Sequence, residues 1–290
     1  MERMPPILGG TGPTDRSRFS LYEMGSILKL EIYKALWGMT GSFEEQLDRI
    51  KETRYDGIEA VLPDAFGLTP AQLRRAVEDR GLKYIGLLFA DGRDNLESGV
   101  VQALESGAHQ LTVHSGRDNW TFDAGCAYFE MALEIEAKYD VRMCHETHRG
   151  RVLFNPWTTA AYLKRFPTLK LVADFSHFTC VCERLLEVDD VDMLAAYAHT
   201  FHLHGRVGYD QGPQVPDPRA PEFAGFVERF DAYWEKIREA HLSRGESVLT
   251  FDPEFGPPGY MHTLPYTQQP VADLWDICLW MAERMRQKWG

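Results

Sequence analysis

The sequence predicts a (β/α)8 TIM barrel, an α/β fold in a single domain, and three observations carry that prediction. The chain has 290 residues, long for an ordinary domain but close to the ~250 that eight βα units take. Strand-like apolar runs alternate with amphipathic helical patterns eight times, with no linker, low-complexity tract or short repeat between them, which is the count of a closed barrel rather than an open sheet. Finally, the last four strand-like runs each end in a side chain able to bind a cation: Glu146, Asp174, His204 and Glu254.

Residues 28–36 (LKLEIYKAL) read as the first strand, ending at Trp37 and Gly38. Ser42 with Glu45 three residues later has the character of a capping box and opens a helix to about residue 53. Residues 57–62 form the second strand, and Thr69 followed by Pro70 starts the second helix with proline at its first position. Residues 83–89 are the third strand, with a helix over about 96–106, and residues 109–114 are the fourth, with a helix over about 124–139. Strand and helix then follow at 141–146 and 156–165, at 169–174 and near 191–199, at 200–204 and 221–241, and at 248–254 and about 271–288. Residues 1–27 are read as an N-terminal extension and 28–290 as the barrel.

Composition narrows the class. Hydrophobic residues make up 44 % of the chain, enough for a large core, and no apolar run approaches the roughly 18 residues of a membrane span. The first 25 residues show no basic stretch followed by an apolar one, so no secretory signal is read and a cytoplasmic, soluble protein is expected. Five cysteines, an odd number without a signal, point to reduced thiols, and the Cys180-Val-Cys182 spacing is too short for the usual zinc pairs. The net charge of -12, with no basic stripe, argues against nucleic acid as a partner.

Period-two alternation tests the four strand ends. With Glu254 inward, Asp252 and Thr250 also face the barrel interior while Phe251 and Leu249 face the helices. His204 and His202 share the inward face of the seventh strand, and Asp174 and Val172 that of the sixth. On the fifth, Glu146 inward puts Arg142 at the closed end and His145 under the helices. A carboxylate at a strand end is often only a helix N-cap, but four in this order are a different matter. His202 is expected to fill a buried polar layer, hydrogen-bonded to Asp252.

The order Glu146-Thr-His148-Arg149-Gly-Arg151, Asp174-Phe-Ser-His177, His202-Leu-His204 and Pro-Glu254-Phe-Gly, with Tyr55-Asp-Gly-Ile-Glu59 upstream, resembles the xylose isomerase-like TIM barrel superfamily, the sugar phosphate isomerase/epimerase and AP endonuclease family 2-like group. The resemblance spans about residues 28–288. It implies Glu146, Asp174, His204 and Glu254 as metal ligands, His177 as a contact to substrate oxygens, and an arginine after the seventh strand, here Arg206, as a further substrate contact.

The chemistry expected of such a set is proton transfer. A divalent ion bridging two adjacent oxygens stabilises the enediolate formed when a proton leaves the neighbouring carbon. Glu146 and Glu254 are assigned as the acid/base pair, and Asp174 and His204 as anchors for one divalent ion per chain, with manganese preferred and magnesium, cobalt or zinc as alternatives. His177, Arg206, His148, Trp37 and His114 are assigned to the substrate, a small carbohydrate such as a keto sugar or cyclitol. Trp37, Phe89, Trp120 and Phe255 could offer flat faces to a sugar ring, and the Gly- and Pro-rich loop 205–219 is read as a lid. Arg117, Arg149 and Arg151 are solvated loop charges unless several converge, when an anionic substrate follows.

The expected activity is therefore sugar isomerisation or epimerisation, with a metal-dependent dehydratase or lyase on a keto sugar, keto-glycoside or inosose as the alternative. An AP endonuclease-like phosphodiesterase ranks last, because those enzymes need a three-metal cluster with extra histidines on the third and fourth strands and an Asp-x-His after the seventh. The third strand here has no histidine, and no Asp-x-His follows His204. Assembly into a homo-oligomer is left open.

Overall fold

Eight parallel strands pair in chain order, and the first pairs with the last, so the sheet has no edge. They are β1 (Lys29–Ala35), β2 (Gly57–Val61), β3 (Lys83–Ala90), β4 (Gln110–Ser115), β5 (Arg142–Glu146), β6 (Lys170–Ala173), β7 (Thr200–His204) and β8 (Val248–Asp252). The computed structural model describes residues 28–290; the expected N-terminal extension, residues 1–27, lies outside the described residues.

Helices α1 (Phe43–Glu52), α2 (Pro70–Glu78), α3 (Arg93–Glu105), α4 (Phe122–Tyr139) and α5 (Pro156–Arg165) follow the first five strands in turn. Their starts are set locally. Ser42 and Glu45 close the expected capping box, Thr69 and Gln72 form a second with Pro70 at the first turn, and Thr121 and Asn155 cap α4 and α5. Gly38, at φ +79°, turns the chain out of β1 where a Cβ would sit 2.7 Å from Leu274.

After β6 the structure departs from the sequence reading. Besides α7 (Val191–His199), a helix α6 (Phe175–Cys182) starts directly at the strand end and is capped by Asp174, whose side chain accepts the Ser176 N–H. Its sequence, FSHFTCVC, is rich in aromatic and β-branched residues and its polar Ser176, His177 and Thr179 are buried along with Phe175 and Phe178, so it carries no clear amphipathic stripe. One 3-10 turn (Pro221–Phe223) leads into α8 (Ala224–Ser243), and α9 (Leu274–Trp289) starts after its cap Asp273, later than expected.

Side chains of the strands' outer faces make the main core with the helices. Phe251 packs edge-on against Trp234 of α8 at 5.5 Å. His145 lies under α4, as alternation required, 2.6 Å from Ser115 Oγ and edge-on to Phe129; burial pushes its pKa down to about 3. Arg142 reaches the closed end and pairs with Glu246 at 3.4 Å. All five cysteines are unbridged. Among the described residues no helix is long and apolar enough to cross a membrane.

Candidate active site

β5 and β7 end in Glu146 and His204, and the chain leaves β6 and β8 through Asp174 and Glu254, so all four stand at the C-terminal mouth of the barrel. One donor atom from each lies within 4.8 Å of the others, and all four residues are buried. His204 Nδ1 is 3.1 Å from Glu254 Oε2 and 3.5 Å from Glu146 Oε1. Glu146 Oε2 is also 2.5 Å from Nε2 of His114, at the end of β4. Asp174 divides its carboxylate: Oδ1 caps α6 and accepts the Ser176 hydroxyl at 2.5 Å, while Oδ2 receives Nη2 of Arg206.

Behind this set lies a polar layer. Glu59 of β2 reaches across the barrel and accepts from His202 Nε2 at 2.8 Å and from His204 Nε2 at 3.1 Å. His202 turns its other nitrogen to Thr250 Oγ1 at 2.7 Å, not to the expected Asp252. The register explains the difference, since His202 lies opposite Thr250 and it is His204 that lies opposite Asp252. Burial, with Glu59 nearby, pushes Asp252 well above the usual carboxylate range despite Lys34.

The hydrogen bond to Glu59 decides what the rest of His204 can do. With Nε2–H committed there, Nδ1 faces two carboxylates, and neither it nor Glu254 Oε2 has a hydrogen-bond partner. Unpaired buried atoms of this kind are costly unless a proton or a cation fills the gap. Burial disfavours charge on His204, but Glu254, Glu59 and Glu146 outweigh it and hold its pKa well above the ordinary value. Burial likewise opposes ionisation of Glu146 and Glu254, yet His114 with His204 depresses the first, and His204 with Arg206 the second. Asp174 goes the other way, to about 6: burial, helped by Glu146 and Glu254, overrides its ion pair with Arg206. Three carboxylates and one imidazole nitrogen fit a hard or borderline divalent cation.

A cavity of about 380 Å³ opens beside the set. Glu146 and Glu254 line it, together with His114, His148, Trp37, Arg206 and Glu59; Asp174 and His204 stand outside the lining. Leu36, Val61, Phe66, Leu87 and Phe89 form an apolar wall from β1 to β3 and the loops that follow them. Burial lowers the pKa of His148 to about 4, so its ring is neutral at pH 7.

The remaining expected residues are placed as follows. His177 is fully buried and does not line the cavity; its Nε2 accepts from Arg206 at 3.0 Å, and its ring packs on His148 with centroids 3.9 Å apart. Arg206 is only 1 % exposed and sits inside the site, lining the cavity while donating to Ser176 and Asp174 and lying 3.4 Å from Glu254. The loop 205–219 is largely folded down: Val207 and Val215 are in the core and Gln214 is tied to the backbone of Gly256. Trp37 and Phe89 reach the cavity, whereas Trp120 packs on Tyr128 and Phe255 is buried in the core.

Two residues of the site escaped the sequence reading. Glu59 was noted only as part of a motif. Tyr260, from the segment 253–273 between β8 and α9, lines the cavity, lies under the Arg206 guanidinium at 4.6 Å and meets Trp37 edge-on at 5.0 Å. Strand alternation places Glu59 inward; nothing periodic marks Tyr260.

Comparison with family models and with curated proteins finds no match by sequence. Comparison by structure does. The chain is similar to D-allulose 3-epimerase from Methylomonas sp. in complex with D-allulose, with TM-score 0.61 and 14 % identity over 91 % of this chain and 98 % of that one. It is similar to the probable 3-DHS dehydratase AsbF from Bacillus anthracis, with TM-score 0.59 and 14 % identity over 88 % and 98 %. A xylose isomerase-like TIM barrel/4-hydroxyphenylpyruvate dioxygenase fusion protein matches with TM-score 0.58 and 16 % identity, over 90 % of this chain and 44 % of that one. At these identities what is shared is the fold, the closed (β/α)8 TIM barrel described above.

Proposed function

We propose that the chain is a divalent-metal-dependent isomerase or epimerase of a keto sugar or cyclitol. One observation carries the reading: of the four clustered residues, Glu146 and Glu254 line the cavity and Asp174 and His204 do not. That is the division of labour an acid/base pair and two anchors require. The solved D-allulose 3-epimerase of the same fold supports it.

Glu146, Asp174, His204 and Glu254 would hold the ion, which when bound would polarise the substrate carbonyl and so acidify the C–H of the neighbouring, hydroxyl-bearing carbon. Glu254, kept ionised by His204 and Arg206 against its burial, can accept that proton, and Glu146, which lines the same cavity, can return one after taking up a proton from solvent. Return to the same carbon from the other side gives an epimer, and return to its neighbour gives an isomer. Arg206 holds Asp174 in place through their ion pair. Neutral His148 can bond a substrate hydroxyl without adding charge.

The apolar wall favours a second reading. A cyclic keto compound with one bare ring face would use that wall more fully than an open polyol, and a dehydratase or lyase starts with the same proton abstraction. A solved structure of the same fold is a probable 3-DHS dehydratase. One screen tests both: incubation of the manganese-loaded protein in heavy water with ketoses, inososes and keto-glycosides. Deuterium next to the carbonyl in recovered substrate or epimer supports the first reading, loss of water or of a glycosyl group supports the second, and no metal-dependent exchange or elimination across the panel refutes both.

A further inference from the structure

The loop that leaves β5 carries Arg149 and Arg151 past Glu146 to the mouth of the cavity. Arg151 lines the cavity, with its guanidinium 5.3 Å from the centroid of the Phe89 ring and Nη1 donating to the Gly116 carbonyl at 3.3 Å. These contacts fix its position without neutralising it. Among the described residues neither Arg151 nor Arg149 has an ion-pair partner within 4.0 Å, although the chain as a whole carries a net charge of -12. Arg149 lies over the Tyr260 ring at 4.7 Å. Arg117, on the neighbouring loop, is half exposed and pairs with Asp91 at 3.4 Å. A negatively charged protein thus carries, in the lining of its cavity, one cation without an ion-pair partner among the described residues.

A neutral ligand filling the cavity would strip water from Arg151 and offer its guanidinium no charged acceptor at hydrogen-bond distance, which is unfavourable. We infer that the natural substrate carries a carboxylate at the end remote from its reacting carbon and that Arg151 binds it. This rests on the reading of the cavity as a keto-sugar or cyclitol site. Arg151 and the two glutamates line the same cavity, with Phe89 and His114 between Arg151 and Glu146: the Phe89 ring is 4.5 Å from the His114 ring, and His114 Nε2 is 2.5 Å from Glu146. A planar guanidinium matches the two oxygens of a carboxylate. A phosphate dianion calls for more donors than one arginine with part of its fork committed, and no glycine-rich phosphate loop is present in the sequence.

The test is calorimetric titration of the manganese-loaded protein with D-fructose, with D-fructuronate, which replaces the terminal hydroxymethyl of that ketose by a carboxylate, and with D-fructose 6-phosphate. The uronate should bind at least about tenfold more tightly than D-fructose, the preference should collapse in Arg151→Gln, and Arg151→Lys, which keeps the charge but not the fork, should fall between. Thermal unfolding of both variants should match the parent, because Arg151 sits in a loop and, among the described residues, the only hydrogen bond of its side chain is to Gly116. Equal affinity for fructose and fructuronate, or a preference that survives Arg151→Gln, overturns the anion subsite alone. Tighter binding of the phosphate ester than of the uronate overturns the carboxylate assignment. Binding of none of the three overturns the ketose reading of the cavity together with the subsite.

Discussion

Replacing Glu59 by Gln tests whether the polar layer beneath the site tunes its metal affinity. Glu59 is 3 % exposed and serves two imidazoles at once, with Oε2 2.8 Å from His202 Nε2 and both oxygens 3.1 Å from His204 Nε2. An amide keeps one acceptor oxygen and turns an N–H toward the second imidazole, so one of two charge-assisted hydrogen bonds is lost, about 1.5–3 kcal/mol. Whichever imidazole keeps the amide oxygen, the negative charge that faced His204 Nε2 is gone, so the tautomer that presents a lone pair at Nδ1 is held less firmly. Partners of this kind typically contribute 10–100-fold to metal affinity, and manganese affinity of Glu59→Gln should fall within that range. Competition against a fluorescent chelator measures it directly, with circular dichroism confirming the fold. Unchanged affinity would refute the argument that Glu59 orients His204.

Glu254→Gln should lower turnover by ~100-fold or more on any accepted substrate even at saturating metal, because an amide cannot take a proton at neutral pH; parental rates of solvent deuterium exchange would return Glu254 to a ligand role. Gly205→Ala should destabilise the fold by a few kcal/mol and disturb His204 beside it, since an added Cβ would stand 2.0 Å from Phe251 Cζ; an unchanged melting temperature contradicts the packing described. Acid should act early. His145 has a folded pKa of about 3, so the unfolded chain takes up that proton first, near pH 6.5; stability is full above pH 6.5 and drops as pH falls toward 3, by up to roughly 4–5 kcal/mol from this group. Urea midpoints at pH 7 and pH 5 check the sign, and a His145 ring signal that titrates near 6.5 in the folded protein would contradict it.

The strands were legible because each is a short apolar run closed by turn chemistry, and Ser42 and Thr69 announced their helices through caps that need only three residues of sequence. Period two was enough to bring Glu146, Asp174, His204 and Glu254 to one mouth. It could not supply partners across the barrel. Glu59 and His202 are 143 residues apart, and which inward residues meet depends on register and on the radius of the closed sheet. Asp174 showed why a strand-end acid need not be either cap or ligand: it caps α6 with one oxygen and faces Arg206 with the other. The loop 205–219 reads as a lid because its glycines and prolines resemble loop tips in sequence, whereas burial of Val207 and Val215 folds the segment inward. Tyr260 comes from the segment 253–273, whose conformation rests on isolated bridges such as Pro258 with Met261, and such pairings leave no periodic trace.

The central claim is that Glu146, Asp174, His204 and Glu254 hold one divalent ion. Elemental analysis of the purified protein, after dialysis against manganese and removal of unbound ion, tests it most directly, alongside Asp174→Ala and His204→Ala. The account predicts about one ion per chain in the parent and loss of it in both variants, with circular dichroism showing the barrel intact. A metal-free parent, or variants that retain the parental metal content, would contradict it.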